Sequence, residues 1–138
     1  MSINLTKKVL VFHMNPFRTA SFFPICREIG CTLTAIDARF CAFPVGALAM
    51  AVGEDGVFDE SKLPTVAGTL KNDSGEKHSE MMLFCGLTSE DIDRFLAAQK
   101  RNGIQTVDFK AVLTGTNAAW SADKLYQMIR EEHHKMHG

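Results

Sequence analysis

The chain has 138 residues, of which 46% are hydrophobic and 22% are charged, so we expect residues 1–138 to form a single domain with its own core. The formal net charge of −1 argues against nucleic acid as a partner, because such proteins usually carry a basic excess. No apolar run approaches the ~20 residues that a membrane-spanning helix needs, and no secretion signal is evident, so we expect a cytoplasmic protein.

Residues 1–52 predict a strand, a helix, a second strand and a short helix. "KKVLVFHM" and "CTLTAID" are apolar runs of strand length. Between them, "NPFRTASFFPICREIG" predicts a helix that either breaks near Pro24 or begins at Ser21, because a helix accepts proline in its first turn. Gly30 is expected to end this helix in a left-handed conformation. "FCAFPVGALAMAV" then predicts a loop and a short helix.

Residues 81–138 repeat this order with clearer signals. "MMLFC" is continuously apolar, so we expect a strand that is buried on both faces. In the helix that follows, Thr88 is the predicted N-cap, and Asp91 occupies the reciprocal position of a capping box. Gly103 is the predicted stop of that helix.

A strand and a helix complete the second unit. "QTVDFKAVL" alternates apolar and polar residues, which predicts a strand with Val107, Phe109 and Ala111 on one face. After a polar loop, Ser121 is expected to cap a last helix.

We therefore expect an α/β fold in which two pseudo-repeated βαβα units, 1–52 and 81–138, form a small, mostly parallel sheet flanked by helices. The linker over residues 53–80 is rich in glycine, serine and charged residues, and it would be a flexible connector or a lid. The alternative is a ferredoxin-like α+β sandwich, because a linker of this length permits either topology.

Four stretches follow predicted strands, at 13–15, 37–41, 85–88 and 113–117. In open parallel sheets, ligands bind beyond the carboxyl ends of the strands. If the sheet is parallel throughout, we expect all four stretches to lie at one edge.

Cys85 is the candidate nucleophile in one interpretation of this edge. It ends a strand just before a helix N-terminus, which favours a thiolate, and His13 or His78 would be the base. "FCGL" faintly resembles the strand–Cys–Gly turn of glutamine amidotransferases, although their preceding glycine is absent. The alternative is that Cys85 is a small core residue. The four cysteines show no metal-binding spacing, and we expect reduced thiols.

The loop after the last predicted strand is the second candidate site. Hydroxyl, amide and backbone N–H groups near the start of a helix suit a small anion, and Lys110 adds a positive charge. The residues concerned are Lys110, Thr114, Thr116 and Asn117, with Trp120 as a wall. The alternative is that Asn117 only closes the turn.

The C-terminal stretch "REEHHKMHG" places His133 and His137 four residues apart, a spacing that can chelate a metal. No further ligand is evident, so we expect a solvated helix end, with neither a metal nor a cofactor.

Residues 81–136 contain a recognisable pattern. It consists of a strand followed by Gly86, the K-A-V-L-T stretch at 110–114, Thr116 with Asn117, Trp120 and the E-E-H sequence at 131–133. This pattern resembles an uncharacterised bacterial family known only as a domain of unknown function. The family often has proline where this chain has Gly115, so the loop here is expected to be more flexible. The resemblance implies no reaction.

The favoured hypothesis is a small α/β module that binds a small anionic ligand or a protein partner without catalysis. The alternative is a thiol-dependent, amidotransferase-like enzyme with Cys85 as its nucleophile. A third hypothesis is an assembly protein whose apolar helix faces form a homodimer.

Overall fold

The computed structural model describes residues 7–63 and 80–137, and within these ranges four strands form one mixed sheet. The strands are β1 (Lys8–Phe12), β2 (Thr32–Ile36), β3 (Met81–Cys85) and β4 (Phe109–Val112). The α-helices are α1 (Pro16–Ser21), α2 (Phe23–Ile29), α3 (Val45–Ala51), α4 (Ser89–Arg101) and α5 (Ala122–His137). Short 3-10 helices span Ala38–Phe40, Glu60–Lys62 and Asn117–Ala119. The strands and α-helices follow one another in the order that the sequence predicts.

The strand order is β2-β1-β3-β4. β1 pairs with β2 and β3 with β4 in parallel, whereas β1 and β3 are antiparallel. The α/β class is thus confirmed, and the internal duplication stays a prediction. The ferredoxin-like alternative is wrong, because its βαβ units are split by an intervening strand, whereas β1 and β2 are direct neighbours.

The antiparallel pairing of β1 with β3 decides where the strand ends lie. Phe12 lies opposite Met81, and Lys8 lies opposite Cys85. The carboxyl ends of β1 and β2 therefore meet at one edge, here called the first edge, and those of β3 and β4 meet at the opposite, second edge. The expectation that all four loops share one edge is wrong, because it required a sheet that is parallel throughout.

Helices cover both faces of the sheet. Val9 and Val11 of β1 lie in a core cluster with residues of α2 and α4, whereas Leu10 and Phe12 lie in a second cluster with residues of α3 and α5. This division follows from the two-residue period of a strand. Every residue of β3 is buried, as predicted for a strand that is covered on both faces.

The predicted helix ends are confirmed in both units. The first helical stretch is interrupted at Phe22, and Pro24 lies in the first turn of α2. The capping box of Thr88 and Asp91 is formed at the start of α4. The Ser121 hydroxyl accepts a hydrogen bond from the backbone N–H of Lys124 at 3.1 Å. Such caps form from neighbouring residues, so they can be identified in the sequence.

The predicted strand over "QTVDFKAVL" is shorter than its alternation indicates. β4 begins only at Phe109, and the chain bends at Asp108. Phe109 and Ala111 lie in the cluster with α3 and α5, but Val107 lies in the cluster with α2 and α4. The prediction that Val107 shares a face with the other two is therefore wrong, because the bend ends the two-residue period.

The first part of the predicted linker packs on the first unit. The Thr34 hydroxyl donates a hydrogen bond to the Gly56 carbonyl at 2.6 Å, and the Phe58 ring packs 5.0 Å from the Phe40 ring. The start of the linker is thus anchored beside β2. Residues 64–79, and with them that part of the lid hypothesis, lie outside the described residues.

We expect the capping box of α4 to make stability depend on pH in acid. The backbone N–H of Thr88 and the ammonium group of Lys7, 2.9 Å away, hold the pKa of Asp91 at about 2. The unfolded chain has a pKa of about 3.9 at this position, so Asp91 stabilises the fold above about pH 4, and this contribution is lost as the pH falls towards 2.

Urea unfolding of the Asp91→Asn variant measures this effect. The variant is expected to be less stable than the wild type near pH 6, and the difference is expected to shrink near pH 2. Asp93→Asn changes an exposed carboxylate on the same helix and is the matched control. A loss of stability at Asp91 that stays constant with pH would contradict the prediction.

Candidate functional site at the first edge

His13 has an unusual backbone conformation at the first edge. It follows β1 directly, and its φ of 59° is the only positive φ of a non-glycine residue in the described ranges. In the second unit, the residue directly after β3 is Gly86, with a φ of 75°. A left-handed conformation costs a residue with a Cβ about 1–2 kcal/mol, which glycine avoids. Residues held in such conformations cluster at functional sites, so His13 is a candidate site residue.

A crevice of about 330 Å³ lies beside His13. Its lining comes from the two parallel strands and the loops that follow them: Val11, His13, Met14, Ala35, Ile36, Asp37 and Ala38. Its place beyond the carboxyl ends of a parallel strand pair is the usual place for a ligand in an α/β sheet. Its volume lies at the lower end of the range for small-molecule sites.

Two polar side chains belong to this lining. One carboxylate oxygen of Asp37 accepts a hydrogen bond from the backbone N–H of Arg39 at 3.0 Å, which caps the 3-10 helix Ala38–Phe40. The Nε2 atom of His13 lies 3.9 Å from the Sγ atom of Cys41, and the His13 ring meets the Tyr126 ring edge-on at 6.3 Å. The histidine is therefore held between a buried thiol and a ring of α5.

Cys85 and His13, the predicted nucleophile and base, are not brought together. Cys85 lies opposite Lys8 at the second edge, and His13 follows Phe12 at the first, so they are about 16 Å apart along the strand direction. Burial raises the pKa of the Cys85 thiol to about 12, although the positive charge of Lys8 opposes this effect. The Cys85 side chain is thus a protonated thiol of the core at neutral pH.

Asn117, a predicted ligand contact, has its side chain engaged within the protein. Its Oδ1 atom accepts the Thr114 backbone N–H at 2.9 Å, and its Nδ2 atom donates to the Val112 carbonyl at 2.9 Å. Its own backbone N–H donates to the Thr114 hydroxyl at 3.1 Å. These contacts close the turn, so the structural interpretation of Asn117 has direct support.

The other predicted anion contacts lie around this turn. Thr114 and Thr116 are exposed, whereas the ammonium group of Lys110 donates to the Val107 carbonyl. Trp120 is half-buried against the cluster with α3 and α5, and the ammonium group of Lys124 lies 5.0 Å from the centre of its ring. Anion binding by this loop stays a prediction.

The two C-terminal histidines whose spacing could chelate a metal lie outside the residues with described side chains. The side chains of His133 and His137 are not among the described ones, and His78 lies in the undescribed range 64–79. Within residues 7–63 and 80–132 no group of three or more His, Cys, Asp or Glu side chains is arranged to hold a metal ion. None of the helices described here is both long and apolar enough to cross a membrane.

Asp37 and Cys41 were not assigned roles from the sequence. Both lie in the stretch 37–41 that follows β2, so their place at a strand end was foreseeable. The sequence gives no signal, however, that the Cys41 sulfur lies against His13, because the two residues are 28 positions apart.

Residues 80–136 match the model of a family described as a domain of unknown function, DUF3783. The match spans β3, α4, β4 and nearly all of α5, and it confirms that this part of the chain resembles an uncharacterised family. It excludes His13, Asp37 and Cys41. Neither the curated proteins nor the solved structures yielded a match to the chain. The second unit is therefore similar to a family that assigns no reaction, and the crevice at the first edge lies outside the matched part.

Proposed function

We propose that the chain is a non-catalytic module that binds a small ligand in the crevice at the first edge. The observation that carries this proposal is the conformation of His13, which has a φ of 59° and lines a crevice of about 330 Å³. Glycine would suit that backbone position better, as Gly86 does after β3. A role for the imidazole in ligand contact explains why a histidine occupies it.

The lining of the crevice favours a ligand with an N–H donor group and a short apolar part. Asp37 is the only acidic residue of the lining, and its carboxylate accepts hydrogen bonds. Val11, Ala35 and Ile36 provide apolar surface. Small amines and amino-acid derivatives combine these two properties, and an isolated anion does not.

The test is a thermal-shift screen of small amines, amino-acid derivatives, carboxylates and phosphates. We expect some of the amines to raise the melting temperature, because a ligand at a hundred times its Kd stabilises the folded state by about 2.7 kcal/mol. Asp37→Asn and His13→Gly are expected to remove this shift. His13→Gly suits the backbone conformation of that position, so it is expected to keep the fold.

Thr116→Ala is the matched control, because it changes an exposed residue of the other candidate site. The shift should persist in this variant. The proposal fails if no compound gives a shift that Asp37→Asn removes. If phosphates or carboxylates stabilise the protein, and Thr116→Ala alone removes that effect, the ligand site is the loop with Lys110, Thr114 and Asn117.

A thiol-dependent enzyme is the second candidate, because Cys41 lies 3.9 Å from a histidine nitrogen. This arrangement matches the nucleophile–base pair of such enzymes better than Cys85 does. Cys41 is buried, however, so a substrate has restricted access to its thiol. Alkylation of the native protein by iodoacetamide tests it: rapid labelling of Cys41 at neutral pH favours the enzyme, and labelling no faster than that of Cys85 excludes it.

Two further expectations stay predictions. The homodimer is tested by size-exclusion chromatography coupled to light scattering, in which a monomer at micromolar concentration would contradict it. The cytoplasmic location is tested by fractionation of cells that express the chain.

A further inference from the structure

Two cysteines lie at the end of α2, on the face that packs against α4. The Cys26 carbonyl accepts hydrogen bonds from the backbone N–H groups of Gly30 at 2.8 Å and Cys31 at 2.9 Å. Gly30 has the left-handed conformation, with a φ of 86°. The hydrogen bond from Cys31 and the left-handed glycine are features of the Schellman motif, in which the side chains at the positions of Cys26 and Cys31 commonly make contact.

The backbone hydrogen bond limits the distance between the two residues. The Cα–Cα distance of Cys26 and Cys31 is at most about 6.8 Å, because the Cα and carbonyl oxygen of Cys26 are about 2.4 Å apart, the hydrogen bond is 2.9 Å long, and the N–Cα bond of Cys31 is about 1.5 Å long. Disulfides need a Cα–Cα distance of about 4.4–6.8 Å. The two cysteines are therefore close enough for a disulfide.

The two cysteines lie close together and differ in their surroundings. Cys26 is buried, whereas Cys31 is half-buried. The interaction between their side chains lowers the pKa of Cys31 and raises that of Cys26, and burial raises the pKa of Cys26 further. For Cys31, burial and the carboxylate of Asp91 act against this effect, and the ammonium group of Lys7 supports it.

The position of Lys7 follows from the sheet. The pairing of Lys8 with Thr32 sets Lys7 beside Cys31 at the start of the β1–β2 ladder, and the Thr32 N–H donates to the Lys7 carbonyl at 3.0 Å. The ammonium group of Lys7 favours the Cys31 thiolate, but it pairs with the Asp91 carboxylate at 2.9 Å, which opposes this effect.

We infer that Cys26 and Cys31 form a reversible disulfide by exchange with small-molecule disulfides, and that Cys31 is the attacking thiol. The Cys31 thiolate attacks one sulfur of a disulfide such as oxidised glutathione, which forms a mixed disulfide and releases one glutathione thiolate. Cys26 then loses its proton to solvent and attacks the Cys31 sulfur, which releases the second glutathione. Two protein thiols are oxidised, and one disulfide is reduced to two thiols.

The tryptic map of this chain makes the test direct. Cleavage at arginine and lysine places the four cysteines in four different peptides, 19–27, 28–39, 40–62 and 78–94. The native protein is incubated with oxidised glutathione, the remaining thiols are blocked, and the digest is analysed without reduction. We expect peptides 19–27 and 28–39 to be linked, and the link to disappear after treatment with dithiothreitol. The absence of this link, or a link through Cys41 or Cys85 in its place, overturns the inference.

Two variants test the order of attack. In Cys26→Ser, the mixed disulfide cannot resolve, so glutathione is expected to stay on Cys31. In Cys31→Ser, only the buried thiol remains. Glutathione is expected to attach to Cys26 in this variant at least about tenfold more slowly than to Cys31 in Cys26→Ser. Equal rates in the two variants overturn the assignment of Cys31 as the attacking thiol. The peptide map of the wild type needs no variant, so a variant that fails to fold leaves the main test intact.

Discussion

Replacement of Phe95 by alanine is expected to lower the free energy of unfolding by about 3–5 kcal/mol, the largest effect that we predict for a single substitution. Phe95 is 0% exposed and lies between two other buried rings. Its ring is nearly parallel to that of Phe22, with 6.0 Å between the ring centres, and it meets the Phe84 ring edge-on at 5.3 Å. The three rings join α4 to the first unit and to β3, so a cavity here cannot be filled by the shift of one side chain alone.

Urea unfolding followed by far-ultraviolet circular dichroism measures this loss. Phe17→Ala is the matched control, since Phe17 is 88% exposed on α1, and its replacement is expected to change stability by less than about 0.5 kcal/mol. Equal effects of the two substitutions would contradict the packing of α4 described here. The loss at Phe95 should appear as a lower midpoint with a similar slope, because the surface exposed on unfolding hardly changes.

The local structure of the second unit was predictable because its signals lie within a few residues of one another. Thr88 and Asp91 define the start of α4 without help from the rest of the chain. The pairing of β1 with β3 is different in kind. The buried parts of both strands are continuously apolar, so no residue in them indicates whether β1 and β3 pair in parallel or antiparallel. The error about the strand edges follows from this single non-local choice.

The candidate site was less predictable than the fold for two physical reasons. The thiolate expected at Cys85 requires exposure, and the sequence does not show that α3 and α5 bury it. The conformation of His13 depends on the chain direction after β1, which no local pattern encodes. A histidine at a strand end was identifiable; its strained backbone and its contact with Cys41 were not.

Replacement of Asn117 by alanine is expected to lower the free energy of unfolding by about 2–3 kcal/mol. Asn117 is 9% exposed, and its side chain accepts a hydrogen bond from the Thr114 N–H and donates one to the Val112 carbonyl. Both backbone groups lose this partner in the variant. The turn also supports α3. Ala118 packs so closely on this helix that a Cβ added at Gly46 would lie 2.9 Å from the Ala118 Cβ.

The loss of stability in Asn117→Ala distinguishes a structural role of this side chain, in closing the turn, from a role in binding an anion. Trp120, the only tryptophan of the chain, lies three residues away and reports unfolding by its fluorescence. Thr116→Ala, on the exposed side of the same turn, is the control and should leave stability within about 0.5 kcal/mol of the wild type. If Asn117→Ala is as stable as this control but loses stabilisation by phosphate, the side chain serves a ligand. If it unfolds far more readily, the polar character of the loop reflects the hydrogen bonds that close it, and the search for a ligand belongs at His13 and Asp37.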